Sequence, residues 1–121
     1  MKTTEQKELT KAEEQVMQAV WKVGNGFANE IVAAVEGSPA YNTVLTVVRI
    51  LEQKGYVSHV TFNRSNRYYP VVSREEYMQQ QLKGLAQRFF GSSPRALVSF
   101  LVDRNEVSLE DLEAITKELE K

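Results

Sequence analysis

The sequence predicts a mostly α-helical protein that contains one small β-hairpin. Apolar residues recur at three- and four-residue steps over most of the chain, which is the period of an amphipathic helix. Between residues 56 and 72 this period gives way to β-branched and aromatic residues interrupted by a polar turn. The 121 residues suffice for one compact domain with an appendage, but not for two full-sized domains.

The first helix is predicted from a start signal and a stop signal. Thr10 followed by Glu13 forms a capping-box pattern, and Gly24 stands where a helix commonly ends. Leu9, just before the start signal, and the apolar residues between the two signals share one face and are expected to pack in the core; these further residues are Ala12, Val16, Met17, Val20, Trp21 and Val23.

Two shorter helical segments follow the first helix. Apolar residues from Phe27 to Val35 mark a second helix of two to three turns, which the Gly37-Ser38-Pro39 segment ends. The third helix is expected to run from about Tyr41 or Asn42 to Lys54, before Gly55.

The β-hairpin is predicted over residues 56–72. Two segments of β-branched and aromatic residues, 56–62 and 67–72, flank a turn at residues 63–66. Three short helices followed by a two-stranded ribbon with a basic tip are the element order of a winged helix-turn-helix. We therefore expect a DNA-binding domain of this type at residues 9–72, after a disordered lead-in at residues 1–8.

Residues 73–121 are predicted to form three more helices. Ser73 with Glu76 opens a long helix, Pro94 starts the next, and Ser108 caps the last. Their apolar stripes are too large for three such helices to bury alone, so we expect a helical dimerisation region covered by a second copy. The expected contact residues are Leu82, Leu85, Phe89, Leu97, Leu101, Leu109, Leu112 and Ile115.

The charge of the chain is unevenly distributed, although the formal net charge is only −1. Residues 37–72 carry four basic residues against one acidic residue, 4 − 1 = +3, whereas the segments on either side each carry −2. A surface that meets phosphate is therefore expected in the middle of the chain.

The composition argues against several functional classes. Because the chain has no cysteine, it cannot form disulfides, thiolate metal sites or a cysteine nucleophile. The one histidine, His59, is interpreted as a strand residue, and no catalytic motif is found. We expect no enzyme activity, cofactor or metal, and no small-molecule ligand is evident. The polar N-terminus and the lack of a long apolar segment predict a cytoplasmic protein.

The third helix carries the candidate binding residues. Asn42, Thr46, Arg49 and Gln53 fall within roughly 60° of each other on the helical wheel, opposite the apolar side, and Thr43 flanks them. Amide, guanidinium and hydroxyl groups can bond base edges or phosphates, although a solvated helix face would look the same. Arg64 and Arg67, expected at the tip of the hairpin, favour DNA binding.

Several motifs together resemble the penicillinase-repressor (BlaI/MecI/CopY) family over about residues 9–120. The motifs that carry the resemblance are Leu9-Thr10-Lys11-Ala12-Glu13, Asn42-Thr43-Val44, Lys54-Gly55-Tyr56-Val57 and Ser73-Arg74-Glu75-Glu76-Tyr77. The resemblance implies a homodimeric repressor that binds a palindromic operator in double-stranded DNA and dimerises through its C-terminal helices. It also implies induction by a membrane-bound sensor protease, which triggers cleavage of the repressor in the C-terminal region.

The chain departs from the family pattern at three points. The family's Asn-Phe scissile pair falls on Phe100-Leu101, so the asparagine is absent. The copper-responsive branch needs a C-terminal cysteine motif, which this chain lacks. The family's usual recognition-helix arginine is replaced by Ile50, beside Arg49, so the family's base preference does not transfer.

An interaction adaptor is the alternative to a repressor. In that case the third helix of the winged-helix module would meet another protein, the basic wing would be incidental, and the chain would have no affinity for DNA.

Overall fold

The computed structural model describes residues 8–119. Residues 1–7, which make up most of the expected lead-in 1–8, lie outside the described residues. The chain divides into two compact units, the first ending at Tyr77 and the second beginning at Met78, and each is described by itself. In the described part of the chain, no helix is both long and apolar enough to cross a membrane.

The first unit contains three helices and a small antiparallel sheet. In chain order its elements are α1 (Lys11–Val23), β1 (Gly26–Phe27), α2 (Ala28–Ala34), α3 (Tyr41–Gln53), β2 (Val57–Phe62) and β3 (Ser65–Pro70). The first turn of α4 (Arg74–Phe89) also belongs to this unit. A winged helix-turn-helix is therefore present, with α3 in the position of the recognition helix and β2–β3 as the wing.

The sheet has three strands in the order β1-β3-β2, so the predicted two-stranded ribbon was incomplete. The missed strand, β1, has only two residues and cannot display an alternating pattern. Phe27 pairs with Arg67 in this strand, although its sequence context suggested the second helix. Gly26 is required here, because a Cβ atom would lie 2.5 Å from Val23 Cγ1 and 2.7 Å from Glu30 Oε1.

The core of the first unit is formed largely by the apolar faces that the sequence predicted, but Ala12 is exposed and Ala19 of the same helix is buried instead. Met17 and Val20 of α1 pack with Ile31 of α2 and Leu51 of α3, and Tyr56 lies at the start of the wing. All five side chains are almost completely buried, and removing each large apolar side chain from water contributes about 1.5–3 kcal/mol.

A partly buried ion pair joins the start of α1 to Lys54, the residue that caps the end of α3. Lys54 Nζ donates to Glu13 Oε1 at 2.6 Å and to the Glu8 carbonyl at 3.0 Å. Glu13 Oε1 also accepts from the Thr10 amide at 3.0 Å, so the predicted capping box is present. The hydrogen bond from Lys54 is the main reason that the pKa of Glu13 lies below its ordinary value of 4.5.

The junction between the wing and α4 is fixed to α1. Trp21 Nε1 donates to the Val72 carbonyl at 2.9 Å, and the Tyr77 hydroxyl donates to Glu14 Oε2 at 2.8 Å. The Tyr77 ring lies 5.5 Å from the Trp21 ring and 6.0 Å from the Tyr56 ring. Burial and the bond to Glu14 raise the pKa of the Tyr77 hydroxyl, so it stays protonated and remains a donor.

The second unit consists of the rest of α4, followed by α5 (Pro94–Asp103) and α6 (Leu109–Leu119). Pro94 is the first residue of α5, as the sequence predicted, and Ser93, which was not predicted, caps the helix. Ser108 and Asp111 cap α6 reciprocally, with bonds of 3.3 and 3.0 Å.

Candidate nucleic-acid interface

The polar strip of α3 faces solvent. Its four predicted members, Asn42, Thr46, Arg49 and Gln53, are all exposed, and so is the flanking Thr43. The opposite face is buried through Val44, Val48 and Leu51, which anchor α3 in the core. Leu45 lies beside the polar strip and is half-buried against the core cluster. This packing explains why an apolar residue occurs next to the strip.

The hydroxyl of Thr46 is already engaged within α3. Its Oγ1 donates to the Asn42 carbonyl at 2.8 Å, one turn earlier in the helix. The hydroxyl proton is therefore used, and Thr46 offers a partner its methyl group and the oxygen lone pairs. A methyl group at this position suits contact with the methyl group of thymine.

The wing ends in a two-residue turn that presents Arg64. Phe62 pairs with Ser65, so only Asn63 and Arg64 connect the strands. Their φ angles are +49° and +69°, which identifies a type I′ turn. Arg64 is exposed at the tip, and behind it Thr61 Oγ1 donates to Asn66 Oδ1 at 3.1 Å.

Arg67 lies on β3, opposite Val60, and not at the tip where the sequence suggested it. Its Nε donates to Asn25 Oδ1 at 3.0 Å, and its guanidinium lies 5.3 Å from the centre of the Phe27 ring. Nothing in the sequence indicated this arrangement, because β1 was not predicted. Arg67 therefore ties the segment before α2 to the sheet.

A cleft of about 320 Å³ lies between α3 and the wing. Arg49 and Arg64 both line it, and its other lining residues are polar or apolar: Phe27, Ala28, Asn29, Tyr41, Leu45, Ser65, Asn66 and Tyr68. No carboxylate lines the cleft, so it is a positively charged concavity that suits an anion.

Sequence reasoning missed the polar residues that accompany the arginines in this cleft. Asn29, Tyr41, Ser65 and Asn66 come from three different elements, and only the fold brings them together. Of these residues, Tyr41 alone could have been singled out from the sequence. It is an aromatic residue at the start of a polar helix face, where it cannot pack in the core, so a binding role could have been predicted for it. Its side chain is 48% exposed.

One ion pair and one histidine–carboxylate contact lie near the interface, but neither uses its arginines. Lys54 pairs with Glu13, and His59 Nδ1 lies 2.6 Å from Glu52 Oε2, which links the wing to α3. Among residues 8–119, neither Arg49 nor Arg64 has a carboxylate partner. Their charges therefore remain available to an external anion.

Residues 8–119 include no group of three acidic, histidine or cysteine side chains able to hold a metal ion.

The residues predicted for dimerisation are only partly covered within the second unit. Leu82, Phe89, Leu109 and Ile115 are exposed, Phe89 and Leu109 by more than two thirds. The other four are half-buried: Leu85, Leu97, Leu101 and Leu112. In the described part of this unit, Ala86 is the one buried apolar side chain, so the helices do not enclose a core of their own.

The predicted cleavage position lies inside a helix. Phe100 and Leu101 both belong to α5, between the cap at Ser93 and the last helical residue, Asp103. The Phe100 ring is 49% exposed and lies 5.7 Å from the Phe90 ring.

Comparison with known proteins gives consistent results. A family model described as Penicillinase repressor matches residues 9–121. Over 116 residues the chain is 22% identical to the methicillin resistance regulatory protein MecI of Staphylococcus aureus, covering 94% of each chain. It is also 22% identical to the penicillinase repressor of Bacillus licheniformis, covering 94% of this chain and 91% of that protein.

Solved structures of other regulators share the fold. Bordetella bronchiseptica BpsR, in a structure that concerns regulation of its DNA binding by 6-hydroxynicotinic acid, superimposes with a TM-score of 0.53 and 16% identity. The superposition covers 82% of this chain and 74% of BpsR. A cysteine-to-serine mutant of MarR from E. coli gives a TM-score of 0.50 and 11% identity, covering 93% and 76% of the two chains. At these identities the likeness supports the winged-helix fold alone.

Proposed function

Because this chain belongs to the penicillinase repressor family, we propose that it is a transcriptional repressor that binds a dyad-symmetric operator as a homodimer. The observation that carries the proposal is the exposed strip of α3, held outward by the buried Val44, Val48 and Leu51. A helix anchored on one side and polar on the other can enter a major groove without unfolding.

The strip residues have distinct roles in the proposed complex. Asn42 and Gln53 present amides that can pair with adenine, and Arg49 can bond guanine or phosphate. Thr43 and Thr46 supply short side chains that allow α3 to approach the bases closely. Arg64 and Arg67 act on the flanking DNA, where their charges offset those of the backbone.

Two features of the second unit support a homodimer. Its exposed apolar side chains remain in water unless another surface covers them. Its charges also segregate along the sequence: residues 78–104 carry four basic residues against one acidic residue, and residues 105–121 carry two against six. Two copies in antiparallel register would bring the basic segment of each against the acidic segment of the other.

Dimerisation is central to the proposed repression. Each copy brings few cations to the DNA, so a single half-site is held weakly. Joining two copies raises the effective concentration of the second reading helix and multiplies the affinity. Any event that separates the copies therefore releases the operator.

A membrane-bound sensor protease is the inducing partner that the family suggests, with cleavage at Phe100-Leu101. Because this bond lies in α5, the helix must open before a protease can hold the chain in extended form. The asparagine that precedes the family's scissile bond is absent here. Incubating the purified repressor with the sensor protease and measuring the rate of cleavage at Phe100-Leu101 therefore tests whether this route applies.

The proposal is tested by selecting genomic DNA fragments with the purified protein and then comparing two variants on the selected duplex. Arg49→Ala should weaken binding by about tenfold or more without changing the oligomeric state, because Arg49 is exposed. Leu112→Asp should yield monomers and lose the operator, because it places a charge in the apolar contact. A Leu112→Asp variant that stays dimeric and binds normally would contradict the pairing model.

A further inference from the structure

The turn at the tip of the wing contains an arginine where glycine is favoured. In a type I′ turn both central residues have positive φ, and asparagine followed by glycine is the common pair. Here the pair is Asn63-Arg64, with Arg64 at φ +69°. A side chain with a Cβ atom makes this conformation unfavourable, so Arg64 weakens the turn in which it lies.

In the described part of the protein, no ion pair or hydrogen bond of the Arg64 side chain offsets this cost. Arg64 is exposed and forms neither an ion pair nor a hydrogen bond with residues 8–119. The turn is closed by other groups, namely the Phe62–Ser65 pairing and the bond from Thr61 to Asn66. An arginine that strains its backbone and has no internal partner points to a role outside the chain.

The cleft beside the wing indicates where that role lies. Arg49 lines the cleft from α3 and Arg64 lines it from the wing, with no carboxylate between them. When α3 lies in a major groove, the sugar-phosphate strand that borders that groove can run through the cleft. The groove on the far side of a backbone strand is the minor groove, so a strand held in the cleft would bring the wing tip to the minor groove.

We infer that Arg64 enters the minor groove beside each half-site and makes the protein favour narrow, A·T-rich flanking sequence. A narrow minor groove concentrates the negative potential of both backbones, and an inserted arginine reads that potential. This inference rests on the proposed function and deepens it, because it assigns Arg64 to shape readout of the flanks in addition to charge neutralisation.

The first experiment uses a dyad-symmetric duplex enriched by the full-length protein from a random library. The flanks of this duplex are changed to A·T, G·C or inosine·C pairs while the two half-sites stay the same. Inosine lacks the N2 amino group of guanine, so inosine·C resembles A·T in the minor groove and G·C in the major groove. Affinity should fall about tenfold with G·C flanks and recover with inosine·C flanks.

The second experiment uses Arg64→Gly, which gives the turn its favoured sequence. The variant should melt at a higher temperature than the parent, because the strain is removed. It should bind all three duplexes with similar affinity, because the reading side chain is gone. Arg74→Ala is the matched control: it removes the same charge from an exposed residue that does not line the cleft, so it should keep the flank preference.

The outcomes separate this inference from the proposed function. If no duplex is enriched, both are wrong. If a duplex is enriched but inosine·C flanks behave like G·C flanks, or Arg64→Gly keeps the preference, the repressor assignment stands and minor-groove reading by Arg64 is overturned. Arg64 would then act on phosphate alone, and only the overall affinity would depend on it.

Discussion

Arg49, Arg64 and Arg67 have the same side chain but three different environments. Arg49 projects from a helix whose back is buried, Arg64 from a strained turn, and Arg67 from a strand where Asn25 and Phe27 hold it. The sequence could predict the first from helical periodicity and the second from the turn residues. It could not predict the third, because the partners of Arg67 lie about forty residues earlier, in and beside a two-residue strand.

At the residue scale, Glu13→Gln tests the ion pair with Lys54. Glutamine preserves the capping box but removes the charge, so the free energy of unfolding at pH 7 should fall by about 1–2 kcal/mol. The folded-state pKa of Glu13 is lowered, so its stabilisation is present above 4.5 and is lost as pH falls through the folded-state value. The difference between variant and parent should therefore shrink at about pH 3 in urea unfolding.

The exposed Glu75→Gln serves as the control for this pair and should change stability little at either pH. If Glu13→Gln destabilises the protein equally at both pH values, the ion pair is not the cause.

At the scale of elements, a helix or strand could be predicted where residues close in sequence mark its ends and its buried face. The helices were predicted because caps such as Thr10, Ser73 and Ser108 mark their starts and apolar stripes mark their buried faces. The strand β1 was missed because its existence depends on Gly26 fitting against Val23, which is a tertiary contact. The cleft was missed for a similar reason, because α2, α3 and the wing each contribute only part of it.

The first turn of α4 provides the prediction at this scale. The sequence placed a domain boundary after Val72, whereas the compact first unit continues to Tyr77. A fragment ending at Val72 should be less stable than one ending at Phe89 by about 3–5 kcal/mol, because it lacks the Tyr77 ring between Trp21 and Tyr56. Urea unfolding of the two fragments measures the difference.

The longer fragment also carries its own control. Tyr77→Ala within it should remove most of the added stability, whereas Met78→Ala, at an exposed neighbouring position, should not. Equal stability of the two fragments would place the boundary at Val72, where the sequence suggested it.

At the scale of the whole molecule, the net charge of −1 hides the opposite charges on which the proposed function depends. Binding DNA requires the basic middle segment to face the duplex, and pairing requires the basic and acidic parts of the second unit to meet in different copies. The DNA contact and the charged part of the pairing are electrostatic, so salt should weaken both, whereas the apolar part of the pairing is not screened by salt.

Salt dependence gives the prediction at this scale. If two copies each bring Arg49, Arg64 and Arg67 to the backbone, the logarithm of the DNA association constant should fall against the logarithm of salt concentration with a slope of about −5. Filter binding between ~50 and ~200 mM salt measures the slope. An interaction adaptor would show no duplex affinity at any salt concentration.

The indole of Trp21, bonded to the Val72 carbonyl where the wing leads into α4, is the one tryptophan in the sequence. The tryptophan fluorescence of the protein therefore reports on the surroundings of this one indole. A shift to longer wavelength would mean that water has reached the junction, even if the rest of the fold stays intact. Stopped-flow mixing with operator DNA or with a protease could then time the opening of this junction without any added dye.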